Sequence, residues 1–200
     1  TAPKHPGQPD RGARAFTLGP EVWIEREDFA AEPPKGYHRL SPPRTDANGK
    51  RIDGAVVRLK YGYVIRCIGY SRAADGSVRE VQAELIPDTR SGTPGADAVK
   101  TKGVLTWVAA HDALPAEVRL YDRLFTEAQP DAAGRDFKSC LNTDSKKVVS
   151  GWLEPSLISA NADDKFQFER HGYFVADRKD HAAAAQVFNR ITALKDGWAK

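Results

Sequence analysis

The sequence predicts a mostly-β chain folded as two small barrels rather than a doubly wound α/β sheet. Three observations lead there. Short alternating or apolar runs recur along all 200 residues, with Gly, Pro, Asn and Asp between them, as expected of compact antiparallel architectures. Helical character is confined to scraps, and the four-alanine link at residues 182–185 is too short for a stable helix. A long polar stretch, residues 87–102, separates two sets of strand-like runs and supplies a seam. The expected division is residues 1–103 and residues 104–200. Either barrel is discontinuous if the chain starts one, builds the other and returns.

Taken in order, residues 1–20 hold Pro3, Pro6, Pro9 and Pro20 among glycines and arginines, an extended lead-in. E-V-W-I at residues 21–24 reads as a strand with Val22 and Ile24 on one face. E-R-E-D-F-A-A-E then reads as a helical turn that Pro33 and Pro34 stop. Residues 41–54 have loop composition and deliver the chain into residues 56–68, V-V-R-L-K-Y-G-Y-V-I-R-C-I. Alternation there places Val57, Leu59, Tyr61, Tyr63, Ile65 and Cys67 toward a core, and Arg58, Lys60, Gly62, Val64 and Arg66 on the opposite face. That second face has three cations and no carboxylate, which suits phosphates and flat bases. The plainer alternative is a solvated face whose charge discourages edge pairing. Ala74-Asp75-Gly76-Ser77 signals a hairpin turn, after which residues 78–86 return with Val81, Ala83 and Leu85 on one face.

Residues 87–102 offer almost nothing to a core and read as a surface loop. Residues 104–109 and 116–125 read as strands, the second with Val118, Leu120 and Leu124 inward and Asp122 breaking the alternation. Asp136 is placed to cap a short helix, F-K-S-C-L, that Asn142 ends in the left-handed conformation. Residues 148–153, 166–175 and 187–194 complete the strand-like runs.

Composition bounds the function. With 40% hydrophobic and 28% charged residues the chain can form a sizeable core, and a net charge of +3 allows a local basic patch without general DNA coating. Cys67 and Cys140 make no disulfide framework and have no metal-ligand spacing, so a reducing, cytoplasmic setting is expected, with no metal site. No apolar run approaches the roughly 18 residues of a membrane span, and the absence of methionine suggests a piece of a longer protein. Phosphate-loop, dinucleotide, zinc-protease and nucleophile-elbow motifs are all missing. His111-Asp112 lacks a nucleophile partner and reads as a surface turn, so no catalytic residue is assigned.

What the sequence does offer is cations interleaved with aromatics: Tyr37, His38 and Arg39; Arg58, Lys60 and Tyr61; Arg119, Tyr121 and Arg123; and Gln167 with Arg170. Single-stranded RNA is read by stacking on aromatic or guanidinium planes and by hydrogen bonds to splayed base edges. A glutamine amide offers one donor side and one acceptor side, matching a uracil edge. Taken alone, Gln167 reads equally as an exposed strand residue between Phe166 and Phe168.

The order of several segments is more informative than any one of them. W-I-E-R-E-D-F from Trp23, G-Y-H-R-L from Gly36, V-R-L-K-Y-G-Y-V-I from Val57, D-T-R-S-G-T-P-G-A-D from Asp88, A-E-V-R-L-Y-D-R-L-F from Ala116, F-Q-F-E-R-H-G-Y-F from Phe166, V-F-N-R from Val187 and the final D-G-W-A-K follow one another. Together they resemble the C-terminal anticodon-binding region of bacterial glutaminyl-tRNA synthetases. The archaeal and eukaryotic glutamyl-tRNA synthetases share the architecture but resemble these segments less well. The resemblance implies two six-stranded β-barrels, a fold shared with a ribosomal 5S-RNA-binding family, with the anticodon unstacked between them. It also implies a parent ligase that joins glutamine to tRNA(Gln) with ATP and magnesium. The catalytic signatures H-x-G-H and K-M-S-K are missing, so the isolated chain is expected to need no cofactor, to bind tRNA weakly or not at all by itself and to be inactive in aminoacylation, its partners being the tRNA anticodon loop and an upstream catalytic domain, with no membrane and no DNA.

Carried over by position, the resemblance implies that Arg39 serves the third anticodon base, Arg58 the first and Gln167 the central uridine, with Lys60, Arg170 and His38 as neighbouring contacts. The chain departs from the pattern at His38, where lysine is common, at Gly7, where asparagine occurs, and in a longer segment at residues 42–54. A further arginine of the uridine pocket lies upstream of Thr1 in the family. The competing classes are a ribosomal-type barrel for structured RNA, a glutamyl-tRNA synthetase domain, and an interaction module with no salt-sensitive RNA binding.

Overall fold

The computed structural model describes residues 1–194; the closing D-G-W-A-K segment lies outside the described residues. Strand accounts for 40% of the structure against 9% helix, all of it short 3-10 turns, so the chain is mostly β. It forms two compact units, Thr1–His111 and a second beginning at Asp112. Among the described residues no helix is long and apolar enough to cross a membrane.

The first unit holds β1 (Ala2–Pro3), β2 (Ala13–Arg14), β3 (Val22–Ile24), β4 (Arg44–Thr45), β5 (Arg51–Ile52), β6 (Val56–Leu59), β7 (Val64–Arg72), β8 (Val78–Ile86), β9 (Gly103–Leu105) and β10 (Trp107–Ala109). Its main sheet has four strands in the order β8-β7-β6-β9, with β9 parallel to β6. β10 pairs antiparallel with β3, so residues 104–109, expected to open the second region, are strands of the first unit. Leu40, Val57, Leu59, Ile65, Cys67 and Leu105 form the core, with Leu18, Ile24, Phe29, Val81 and Trp107 packed around it.

The continuous strand expected over residues 56–68 is a hairpin instead. Leu59 N–H donates to the Tyr63 carbonyl at 2.9 Å and Gly62 N–H to the Leu59 carbonyl at 2.8 Å, closing a tight turn. Tyr61 and Tyr63 thereby leave the core face that simple alternation gave them, and β7 resumes with Ile65 and Cys67 inward. Of the inward set expected on β8, Val81 packs against the core while Ala83 and Leu85 are exposed. β8 is an edge strand, and two register shifts against β7 interrupt the regular alternation of its side chains. The 41–54 segment is not wholly loop. β4 and β5 pair within it, and the Asp46 carboxylate accepts from the Asn48 and Lys50 amides at 2.9 Å each.

The second unit comprises β11 (Leu114–Tyr121), β12 (Lys146–Leu153), β13 (Lys165–Phe168), β14 (Gly172–Ala176) and β15 (Gln186–Thr192), one five-stranded sheet in the order β12-β11-β15-β14-β13. Phe166, Phe168, Phe174 and Phe188 gather on its inner face; the Phe168 and Phe174 rings stack at 4.5 Å and Phe188 meets Phe168 edge-on at 5.2 Å. β11 stops at Tyr121, so Leu124, expected inward, is 56% exposed. Asp136 caps the turn Phe137–Cys140 by accepting from the Lys138 amide at 3.0 Å. Asn142 does not take the left-handed conformation: the turn ends at Leu141 in extended backbone. The Asn142 side chain instead bridges the Arg123 carbonyl and the Asp144 amide.

Close backbone approach makes two glycines of the first unit behave differently. A Cβ at Gly54 would lie 1.8 Å from the Cys67 carbonyl oxygen, whereas one at Gly49 meets nothing within 4 Å, though φ there is +79°. Gly54→Ala is therefore expected to lower stability by about 1–3 kcal/mol or more as backbone is forced apart. Gly49→Ala should lower it by about 1 kcal/mol through left-handed strain alone. Urea unfolding of the two variants checks the order, and equal losses contradict it.

Candidate nucleic-acid interface

Arg39 is positioned by backbone on both sides. Leu40 N–H donates to the Asp28 carbonyl at 2.9 Å and Ala30 N–H to the Leu40 carbonyl at 3.0 Å, tying the G-Y-H-R-L segment to the turn Arg26–Asp28. Asp28 is fully buried, and Arg39 Nε sits 3.3 Å from its Oδ1, while Arg39 Nη1 donates to the Val104 carbonyl. Glycine at 103 permits this, because a Cβ there would lie 1.9 Å from the His38 carbonyl oxygen. About a third of the Arg39 side chain, 32%, stays in solvent beside exposed His38. Tyr37 points back, its hydroxyl donating to the Glu27 carbonyl at 2.8 Å.

Arg58 lies on the outer face of the β6–β7 hairpin, but it does not stand open to solvent. Nη1 donates to the Thr89 carbonyl at 2.7 Å and, at 3.4 Å each, to the Gly62 carbonyl and Ser91 Oγ; Nη2 donates to the Ala96 carbonyl. The segment read as a featureless loop is thus folded back onto the hairpin. Thr89 is 1% exposed, its hydroxyl accepting from Val64 N–H at 3.0 Å and donating to the Ile86 carbonyl at 2.6 Å. Gly95 lets the loop close, since a Cβ there would meet the Asp88 carbonyl at 2.0 Å. Arg66 pairs with Glu84 of the neighbouring strand at 3.0 Å. Across strands, then, the face that looked free of carboxylate is not.

Lys60 sits in the hairpin turn with Nζ 5.4 Å from the Tyr61 ring centroid, and Arg14 approaches the same ring at 5.7 Å. Trp107 Nε1 donates to the Lys60 carbonyl at 3.0 Å. Tyr61 belongs to a cation–aromatic cluster read from sequence, whereas Arg14, Thr89 and Trp107 were not singled out as site residues. The signal for Thr89 was the run of turn-forming hydroxyl and glycine residues around it; for Arg14 and Trp107 there was none, since both come from strands distant in the chain.

In the second unit Gln167 is exposed on edge strand β13, directly opposite exposed Tyr173 of β14, while its neighbours Phe166 and Phe168 turn into the core. Arg170 stands at the adjoining hairpin end with φ +71°, followed by buried Gly172. Gln167 and Arg170 therefore share one end of one hairpin. The Arg119 and Tyr121 cluster has a structural role instead. Arg119 bonds Glu117 at 2.6 Å, Asp177 at 3.2 Å and Asp180 at 2.7 Å, and Tyr121 donates to Asn189 Oδ1 at 2.7 Å. Hydrogen bonds to Glu117 and Asp180 push the Arg119 pKa up.

Both cysteines are free and buried, and burial pushes the Cys67 thiol up. Among the described residues no group of three or more His, Cys, Asp or Glu is placed to hold a metal. Two family models, each described as the anti-codon binding domain of class I (E and Q) tRNA synthetases, match residues 1–86 and 104–177. The chain belongs to that anticodon-binding family.

Glutamine–tRNA ligases are among the similar curated proteins. That of Ralstonia nicotianae is 56% identical over 200 residues, covering 100% of this chain and 33% of the relative. The Cupriavidus necator ligase is also 56% identical over 200 residues, and the Bordetella pertussis ligase 52% identical over 198 residues. The chain spans about a third of the length of these relatives. In this anticodon-binding domain the β13–β14 hairpin and the Arg39 segment expose polar groups that can hydrogen-bond, whereas the Arg119 network binds the sheet together.

Asp177 gives that network a pH signature. Its pKa is lowered from 3.8 to about 2, chiefly by the Asn189 amide at 2.6 Å, then by the Asp180 and Lys179 backbone N–H groups, with Arg119 adding its charge. A depressed carboxylate stabilises the fold fully above its unfolded pKa, and that stability is lost as pH falls through the folded value. Stability of the second unit should thus hold above pH 4 and decline between about pH 4 and 2, by at most about 2 kcal/mol from this group. Asp177→Asn should lack this component of the acid transition in pH-dependent urea unfolding; an unchanged profile contradicts it.

Proposed function

We propose that this chain is the anticodon-reading region of a bacterial-type glutamine–tRNA ligase, which it docks on the anticodon loop of tRNA(Gln) while the parent attaches glutamine. ATP and magnesium serve that parent reaction, on residues other than those described here, in the cytoplasm. His38, Arg39, Arg58 and Lys60 of the first unit and Gln167 and Arg170 of the second form the contact set. In this reading the sheets of the two units belong to two β-barrels. The observation that carries the proposal is the Gln167 amide, held outward by inward-packed Phe166 and Phe168 at one hairpin end with Arg170.

An outward amide on a fixed strand can meet both the donor and the acceptor of a uracil edge. Cytosine exchanges donor and acceptor at those positions, so the wild-type ligase should penalise a central cytidine and Gln167→Ala should penalise it much less. Each unpartnered polar group costs about 1–3 kcal/mol. Aminoacylation of both tRNAs by both enzymes forms a double-mutant cycle, and a coupling of zero removes Gln167 from the site.

Arg58 acts together with the loop it holds. Lysine keeps the charge but loses the planar fork that reaches several carbonyls at once. Arg58→Lys should therefore reduce discrimination at the first anticodon letter. Equal loss of kcat/KM on every first-letter variant would leave Arg58 as a loop anchor alone.

A further inference from the structure

Tyr61 has a left-handed backbone, φ +59°, although the following residue is a glycine that does not share it. Gly62 is used for closeness instead: a Cβ there would lie 3.2 Å from Leu59 Cβ and 3.4 Å from the Trp107 ring. A residue with a Cβ is disfavoured at such a φ and persists only where its surroundings fix it. They do so here without using the tyrosine ring. Lys60 N–H donates to the Leu105 carbonyl at 2.9 Å, Trp107 Nε1 to the Lys60 carbonyl at 3.0 Å, and Ser91 N–H to the Gly62 carbonyl at 2.9 Å. The turn presents a half-exposed ring approached by two cations, Arg14 at 5.7 Å and Lys60 at 5.4 Å. Both distances lie toward the outer end of cation–π contact, which extends to about 6 Å.

Resting on the reading above, we propose that Tyr61 is a stacking platform for one unstacked nucleotide of the bound RNA, with Arg14 and Lys60 meeting its phosphates. A flat ring with cations around it is what a single-stranded nucleotide recognises, base on ring and phosphate on cation. Stacking is tolerant of base identity, so the platform supplies affinity and positioning while the amide and guanidinium contacts select the letters.

The test titrates the full-length ligase that contains this chain with an RNA hairpin carrying a glutamine anticodon. Tyr61→Gly relieves the backbone strain and removes the ring, so its melting temperature should equal or exceed wild type while RNA affinity falls about tenfold. Tyr61→Phe should bind as wild type. Arg14→Gln should lower the log-log salt slope by about 0.7, one phosphate contact on a single strand. Wild-type affinity in Tyr61→Gly overturns the platform, and so does a parallel fall of affinity and melting temperature, which marks a purely structural ring. Polyglutamate competing as well as RNA marks a charge-only surface and overturns it too. If Gln167→Ala loses the preference for a central uridine while Tyr61→Gly binds normally, only this inference fails. If the wild-type full-length ligase shows no salt-dependent RNA binding, the functional reading fails and the platform with it.

Discussion

The carbonyl of Gly62 is the point on which the first unit depends. A tight turn in the middle of a basic apolar run leaves carbonyls facing the side of the sheet that a loop must cover, and buried carbonyls need donors. Ser91 N–H and Ser91 Oγ supply two, at 2.9 and 3.0 Å, and Arg58 a weaker third at 3.4 Å. The same Arg58 also reaches the Thr89 and Ala96 carbonyls, so one guanidinium joins turn and loop. Thr89 then seals Val64, which is completely buried although it lies on the outer face. A cation beneath a loop can thus determine where the neighbouring exposed groups stand without itself being open to solvent.

The second unit meets a different constraint with different chemistry. Its five-stranded sheet has an aromatic inner face and, on β11 and the segments near it, a polar network of Arg119, Glu117, Asp177, Asp180, Asn189 and Tyr121. Arg119 and Asp177 keep only 15% of their side chains exposed, so leaving either unpaired would cost more than a surface ion pair returns. Edge strand β13 lies outside that network. Its outward Gln167 is therefore held in place by packing on either side rather than by polar partners, which leaves the amide available to a ligand.

The strands at residues 22–24, 78–86 and 148–153 were legible because period-two alternation and turn residues such as Asp75-Gly76 are local signals. The break at residues 60–63 was not, because V-V-R-L-K-Y-G-Y-V-I alternates almost without interruption, and the left-handed Tyr61 and the Leu59–Tyr63 hydrogen bond that mark the turn belong to the folded chain. The Asn142 misreading has the same origin. Asn is the residue type that tolerates left-handed backbone, but here its side chain found the Arg123 carbonyl and the Asp144 amide, and the turn ended in extended backbone at Leu141. Ala83 and Leu85 are exposed on an edge strand with two register shifts against β7, neither of which alternation reveals.

Residue types and their order in the chain determined by themselves the mostly-β class, most strand positions and, through several ordered segments, membership of the anticodon-binding family. Only the tertiary structure decided which cations are committed. Arg119 and Arg58 look alike in sequence, each beside a tyrosine or lysine within a strand. Yet Arg119 is tied to Asp177, 58 residues away, and Arg58 to carbonyls 31 and 38 residues away. The partners a cation holds fix where its charge stands and which of its donors still face a ligand. Those partners are set by which loops and strands meet in space, which a period-two pattern does not encode.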